Sequence, residues 1–272
     1  MSKFATIIIN RNLPKVTDKL FDYLKRTRKT DIFIVEAGSD KDKLSKNFTW
    51  HANWKSATKK GLRFPRGMNY ALSNLWKEKK FKKYEFFFLI TNDTEIKTNN
   101  FFSIFLKIFK ENPRLGILSG CSKEWGEKKL LKKIKMKYFW YIHNNAIALR
   151  RNFIEEIISL KKPGYMNFLY DGNNFRGYGT ESELIAKAYS NYWAAGITSE
   201  VEINENESYL INKSNLIKTE PYEKNLKLLL IEGSKWMREK YGFKSKWSMQ
   251  MYTKTFYDRF FEHYPKYIKY KI

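Results

Sequence analysis

Phe86-Phe-Phe-Leu-Ile-Thr91-Asn92-Asp93-Thr94-Glu95-Ile96 is an apolar run that breaks abruptly into small polar and acidic residues. A short, wholly apolar run with polar ends reads as a strand buried on both faces, and ligands of open α/β sheets gather outside the carboxyl ends of such strands. Asp93 is therefore expected at the mouth of a cleft. Carboxylate oxygens there suit a hard divalent cation, which in turn holds a diphosphate. The plain alternative is a strand end closed by an Asx-type turn at Asn92-Asp93, and the stretch alone does not decide between them.

Working outward, short apolar runs alternate with longer amphipathic stretches. Phe4-Ala-Thr-Ile-Ile-Ile9 reads as a buried strand, and Pro14 opens a helical pattern with Val16, Leu20, Tyr23 and Leu24 on one face. Asp31 to Val35 is the next strand, ending in Glu36-Ala-Gly38-Ser39-Asp40. The polar segment from Lys41 to Lys60 is expected to hold at most a short strand around Phe48 to Trp50. Gly61-Leu-Arg63-Phe-Pro65-Arg66-Gly67 reads as a turn-rich loop feeding a helix from Met68 to Lys79. After the opening stretch come a helix over Asn99 to Glu111 and a strand from Leu115 to Ser119. This rhythm predicts parallel βαβ units in a doubly wound α/β sheet.

Composition narrows the function classes. The 272 residues suffice for a sizeable core, and 17% aromatic content excludes general disorder. Lys and Arg number 52 against 28 Asp and Glu, a formal charge of +24 that favours anionic partners without choosing among nucleic acid, membrane surface and phosphorylated small molecules. The single cysteine, Cys121, excludes an internal disulfide framework and fits a reducing cytoplasm. Met1-Ser-Lys-Phe leads straight into a strand pattern with no signal peptide, and no apolar run approaches the roughly 20 residues that span a bilayer. The expected location is the cytoplasm, or the inner face of the membrane.

Four motifs in order resemble a family-2 glycosyltransferase of the GT-A fold, from Phe4 to about Glu200. They are Ile7-Ile-Ile9-Asn10-Arg11-Asn12, then Glu36-Ala37-Gly38-Ser39-Asp40-Lys41-Asp42, then Gly61 to Gly67 with Asn69, then Ile90-Thr91-Asn92-Asp93-Thr94-Glu95. The resemblance implies a mostly parallel Rossmann-like sheet flanked by helices in residues 1–220, with a helical, basic and aromatic extension in 221–272. It implies donor contacts from Asn10, Asn12, Glu36, Ser39, Asp40, Arg63, Arg66, Asn69, Asn92 and Asp93. Glu36 and Asp40 are of a type to accept hydrogen bonds from base and ribose, and Arg63 and Arg66 of a type to clamp a diphosphate. An ordinary turn and solvated surface charge are the alternatives for these two groups. Asp93 aligns with the last acid of the family's D-x-D motif, with Thr91 in the first acid's place. The implied cofactor is Mn²⁺ or Mg²⁺ on Asp93, helped by Asn92 or Glu95. A further ligand, often His in the family, falls to Glu202, Asn204 or Glu205, or is vacant.

Lys123 to Lys137 reads as a solvated amphipathic helix or loop, and Tyr138 to Leu149 as a strand whose end resembles the family's R-R-x-x-F segment, with His143-Asn144-Asn145 beside it. Phe175-Arg-Gly177-Tyr-Gly179-Thr180-Glu181-Ser182-Glu183-Leu184 resembles the G-x-E-D-x-D-L signature at a helix start. There one carboxylate takes the proton from the acceptor hydroxyl as it attacks. Glu181 is the candidate base and Glu183 the near alternative, while a helix-start acid favoured by the macrodipole is the structural reading. From Pro221 the pattern is helical. Leu226, Leu229, Leu230, Trp236 and Met237 mark one helix, and Trp247, Met251, Phe256, Phe260 and Phe261 another before Pro265. Their aromatic, basic character fits a packing face, or a contact with an acidic membrane surface where lipid-linked acceptors are found.

The expected function is inverting transfer of a sugar, most simply from a UDP-sugar, to a hydroxyl of a saccharide or lipid-linked saccharide, in surface polysaccharide or glycolipid synthesis. A nucleic-acid-binding module is the non-enzymatic alternative, raised by the charge and disfavoured by the motifs. A transferase-like scaffold without activity is the third, raised by Thr91 and Thr180 where the family has acids.

Overall fold

The structure is a computed structural model that describes residues 3–122, 127–132, 134–142, 145–158, 163–206 and 208–272. Its elements in chain order are β1 (Phe4–Asn10), α1 (Pro14–Thr27), β2 (Thr30–Glu36), β3 (Trp50–His51), α2 (Lys55–Lys60), α3 (Arg63–Lys77), β4 (Phe86–Thr91), β5 (Thr94–Ile96), α4 (Phe101–Glu111) and β6 (Leu115–Cys121). Then follow α5 (Glu127–Leu131), β7 (Met136–Tyr138), β8 (Ala146–Arg150), α6 (Arg151–Ile157), α7 (Thr180–Ser190), β9 (Ala194–Glu205), α8 (Ser208–Ile211), α9 (Tyr222–Tyr241) and α10 (Lys246–His263).

The strands form one sheet in the order β3-β2-β1-β4-β8-β6-β9-β5, with β7 on β9. Its first four strands are parallel, as the alternating pattern predicts. The second half is mixed. Strand β8 enters antiparallel between β4 and β6, while β6 and β9 run parallel. An antiparallel strand needs no crossover helix, so the strict βαβ rhythm ends where β8 begins. Register aligns Asn10 with Glu36 and Ile9 with Thr91, bringing the carboxyl ends of β1, β2 and β4 to one edge.

Several expected boundaries move. Helix α3 begins at Arg63, so Pro65 and Arg66 lie in its first turns; proline is tolerated there because that N–H has no helical partner. Gly67 sits where α3 crosses β1, and a Cβ there would come within 2.2 Å of Ile9 Cδ1. The single strand expected over Tyr138 to Leu149 is two: β7 ends at Tyr138 against β9, and β8 begins at Ala146. The opening stretch breaks at Asn92-Asp93 between β4 and β5. The polar segment gives β3 at Trp50–His51 and an unexpected helix, α2. Part of the lysine-rich segment, at 123–126 and 133, and His143 and Asn144 lie outside the described residues.

The core is aromatic. Phe86 stacks between Phe4 and Phe109, with ring centroids 5.1 and 4.5 Å away. Helix α10 buries Tyr257, Phe260 and Phe261 in this same core, against Tyr138 and Tyr189. A smaller cluster of Trp236, Met237 and Met249 joins α9 to the start of α10. Leu226, Leu230 and Ile231 of α9 and Trp247 of α10 are exposed.

Candidate active site

The carboxyl edge of β1, β2 and β4 is organised by a buried glutamate. Both oxygens of Glu36 accept from Asn10 Nδ2, at 3.1 and 2.9 Å, and its remaining bonds come from Ser39 Oγ and, at 2.7 Å, the Ser45 backbone N–H. Glu36 is fully buried. Its acceptors hold the 39–45 loop against β1, so this residue and Ser39 build the edge from within. Asn12, with φ of 57°, bonds Asp40 through both amide atoms, 3.1 Å to Oδ2 and 2.7 Å from the Asp40 N–H. Asn69 is likewise consumed by backbone: its Nδ2 donates to Tyr165 and Tyr170 carbonyls, and its Oδ1 accepts from the Leu169 and Tyr170 N–H groups. It pins the 165–170 segment to α3.

Above this edge is a cavity of about 180 Å³ lined by Asn10, Arg11, Arg63, Phe64, Asn92 and Asp93, among others. Asn92 Nδ2 donates to Asn10 Oδ1 at 3.1 Å and Thr17 Oγ1 at 3.0 Å, fixing the turn that carries Asp93. Glu95, expected as a metal helper, lines a separate cavity of about 270 Å³ beyond Asn92. There it pairs with Lys97 at 2.9 Å and accepts from Asn206 Nδ2 at 2.8 Å, and the Lys97 bond foremost holds its carboxyl below the usual range. Glu95 lines that separate cavity and Asp93 the first, so Glu95 does not join it. The end of β9 does come alongside: Thr94 pairs with Glu205, Glu95 with Asn204, and the Asn206 N–H donates to the Asp93 carbonyl at 2.9 Å.

No group of three His, Cys, Asp or Glu side chains among the described residues makes a metal cage. One carboxylate at a phosphate-sized cavity nevertheless fits a cation carried in on a diphosphate, because Mg²⁺-type sites commonly use one or two carboxylates plus substrate phosphates.

The segment at 216–220 crosses the cavity mouth. The Leu216 carbonyl accepts from Asn12 Nδ2 at 2.7 Å, Lys218 pairs with Asp40, and Arg63 donates to Thr219 Oγ1. The Lys218 hydrogen bond is the main cause that lowers the Asp40 pKa. Glu220 lies 3.4 Å from Arg63 and 2.9 Å from Arg176, and chiefly the Arg176 bond lowers its pKa to about 2. Arg63, Arg66 and Arg176 all face the ring of Phe175, Arg66 most closely at 4.8 Å. Arg66 Nε donates to the Gly172 carbonyl at 2.7 Å. Burial, then the neighbouring Arg63 charge, lowers the Arg11 pKa to about 10.

The two candidate bases start α7 behind Gly179, and their surroundings differ. Glu183 Oε1 takes Lys240 Nζ at 2.8 Å and Tyr241 Oη, with Lys187 at 3.6 Å, and its side chain is only 3% exposed. It ties α9 to α7. Glu181 is nearer the surface, at 10%, and pairs with Lys246 at the start of α10. Tyr170 lies beside it: burial first, then the Glu181 charge, raises that phenol's pKa. Tyr170 packs on Phe64 with centroids 5.5 Å apart, and Phe64 lines the Asp93 cavity. Sequence reading missed Phe64, Tyr170, Arg176 and Lys246. Phe64 and Arg176 stood inside recognised motifs, whereas Tyr170 and Lys246 lay outside them, so only the first two carried a local signal.

No family model matches the chain, and no curated protein does. Solved structures do. GalNAc-T7, solved with UDP, GalNAc and Mn²⁺, superposes with a TM-score of 0.53 at 10% identity, over 96% of this chain and 56% of that one. A mycobacterial protein gives 0.50 at 8% identity, over 87% and 74% of the two chains. A mannosyltransferase from Pyrobaculum calidifontis, solved with GDP-Man and Mn²⁺, gives 0.49 at 11% identity, over 93% and 73%. The chain spans little more than half of GalNAc-T7. At such identities the likeness is one of architecture: this chain has the GT-A fold of nucleotide-sugar transferases.

Proposed function

We propose that the protein is an inverting, metal-assisted glycosyltransferase that moves a sugar from a nucleoside diphosphate, most simply UDP, to an acceptor hydroxyl, in the manner of family 2. What carries the reading is that Asp93 and Phe64 line one cavity, Tyr170 packs on Phe64, and the Glu181 charge acts on Tyr170. One end of this series offers a carboxylate and arginines to a diphosphate, and the other offers a carboxylate to a proton.

Asp93 would hold Mn²⁺ or Mg²⁺, which when bound offsets charge on the departing diphosphate. Arg11 and Arg63 line the same cavity and suit the phosphate oxygens. Asn10 and Asn92 set the turn that aims Asp93. Glu36, Ser39, Asn12 and Asn69 support the donor site from behind, and Asp40 stands at its rim. Glu181 takes the acceptor proton as oxygen attacks the anomeric carbon from the face opposite the leaving group. Glu183 braces the helix that carries Glu181.

A saccharide or lipid-linked saccharide is the acceptor in this reading. Exposed Leu226, Leu230 and Ile231, on a helix that also bears Lys224, Lys227 and Lys235, would meet an anionic membrane surface. No helix among the described residues is long and apolar enough to cross a membrane. Calorimetry with UDP, GDP, CDP and dTDP, each with and without Mn²⁺, tests the reading. UDP binding strengthened by Mn²⁺ is expected. Binding of none of the four overturns it.

A further inference from the structure

Lys246 is the first residue of α10, and its backbone is set by the Ser245 cap, whose Oγ accepts from the Ser248 N–H at 3.3 Å. The helix is tied to α7 two turns on, where Thr253 Oγ1 donates to the Ser182 carbonyl at 3.3 Å. Its ammonium lies 5.2 Å from the Tyr141 ring and 5.0 Å from the Tyr178 ring, and it pairs with Glu181 Oε1. Two aromatic faces attract a cation and restrict where it sits. Tyr178 is itself packed on α9, where a Cβ at Gly233 would come 2.4 Å from its own.

We propose that Lys246 is a positioning residue: caged by Tyr141 and Tyr178, it fixes the carboxylate of Glu181 toward the acceptor hydroxyl. The proposal rests on the reading of Glu181 as the base. A glutamate side chain turns about three bonds, and a base a fraction of an ångström out of line loses much of its effect. The ion pair engages Oε1, and among the described residues no side chain bonds Oε2, which is left for the proton. The neighbouring charges do not duplicate the contact. Glu183 on the same helix has Lys240 and Tyr241 from α9 and Lys187 from α7, and among the described residues Tyr170 also feels the Glu181 charge. The last helix would thus be part of the machinery of a reaction whose donor site lies at the opposite end of the chain.

The test compares Lys246→Met, Lys246→Arg and Glu181→Gln, with nucleotide release from UDP-glucose and from GDP-mannose in Mn²⁺ as the activity and water as the acceptor. Lys246→Met is expected to lower kcat by about 10- to 100-fold with KM for the donor unchanged, and Lys246→Arg to restore most of it. If Lys246→Met does not fold, Lys246→Gln is read by the same split. An unchanged kcat in the lysine variants, with release abolished in Glu181→Gln, overturns the positioning role and leaves Glu181 as base. A raised KM at constant kcat makes Lys246 a donor contact and overturns it as well. Full activity in Glu181→Gln, or no release by the wild type from either donor, removes the reading beneath the proposal.

Discussion

Asp93 and Glu183 are both buried carboxylates, and their surroundings assign them opposite work. Asp93 lines the proposed donor cavity, so Asp93→Asn keeps the shape of the turn and removes the charge that a cation there would need. Calorimetry should find UDP affinity in this variant no longer raised by Mn²⁺, with thermal unfolding near that of the wild type; an undiminished Mn²⁺ effect would assign Asp93 to the turn alone. Glu183 bonds Lys240 and Tyr241, and Glu183→Gln takes the charge out of both bonds, leaving Lys240 with Asp171 as its remaining carboxylate partner. Hydrogen bonds to charged groups contribute about 1.5–3 kcal/mol, so chemical denaturation should show a loss of that order, with UDP affinity preserved. A fully stable but inactive Glu183→Gln would instead make Glu183 the base. At this scale residue type was legible and direction was not. Glu36, Asn69 and Glu95 stand in the motif positions, yet Glu36 and Asn69 spend their polar atoms on neighbouring backbone and side chains, and Glu95 turns to Lys97 and Asn206. Which way a side chain faces depends on partners remote in sequence.

Among the elements, α3 shows how punctuation misleads. Gly61, Pro65 and Gly67 resemble a loop, but only Gly61 needs a positive φ, 74°, while Gly67 lets α3 approach β1. The 216–220 segment carried no motif, and it proves to engage three expected donor residues, Asn12, Asp40 and Arg63. Its Glu220 carboxylate sits between Arg63 and Arg176, where a phosphate would be welcome. The cavity it covers, about 180 Å³, is below the roughly 300–1,000 Å³ of ordinary ligand pockets, so the proposed nucleotide-sugar donor would displace the segment. Lys218→Ala should therefore tighten UDP binding by about 2- to 5-fold, the equivalent of one surface ion pair. Equal or weaker binding would show that the segment does not compete. Glu220 adds a pH signature. Its carboxyl is lowered from 4.5 to about 2, chiefly by the Arg176 bond, so its contribution is complete above 4.5 and lost as pH falls through about 2. The stability gap between wild type and Glu220→Gln should narrow across that window in denaturation at a series of pH values; a constant gap would mean the charge contributes nothing.

At the scale of the whole molecule, periodicity placed the parallel half of the sheet because each of its strands is a self-contained apolar run followed by a helix. It did not place β8, whose antiparallel position depends on pairing with β4 and β6 at once. Nor did it reveal how far the end of the chain enters the core. Sequence divides the protein into 1–220 and 221–272, and the aromatic stripe of the second part reads as a packing face without naming what it packs on. Tyr257, Phe260, Phe261 and Tyr267 belong to the main core, and the same stretch delivers Lys240 and Lys246 to the two glutamates of α7. Each large apolar side chain of this kind contributes about 1.5–3 kcal/mol on burial, so the four together rival the roughly 5–15 kcal/mol net stability of a whole domain. A chain ending at Glu220 is thus expected to lose cooperative thermal unfolding and to expose apolar surface to a hydrophobic dye. A version ending at Gly242 keeps α9 with Trp236 and Met237 but still lacks the four core aromatics, and it should fail in the same way. Cooperative unfolding with retained UDP binding in the 1–220 fragment would show instead that the final helices are an appended domain, and that the base on α7 needs no support from them.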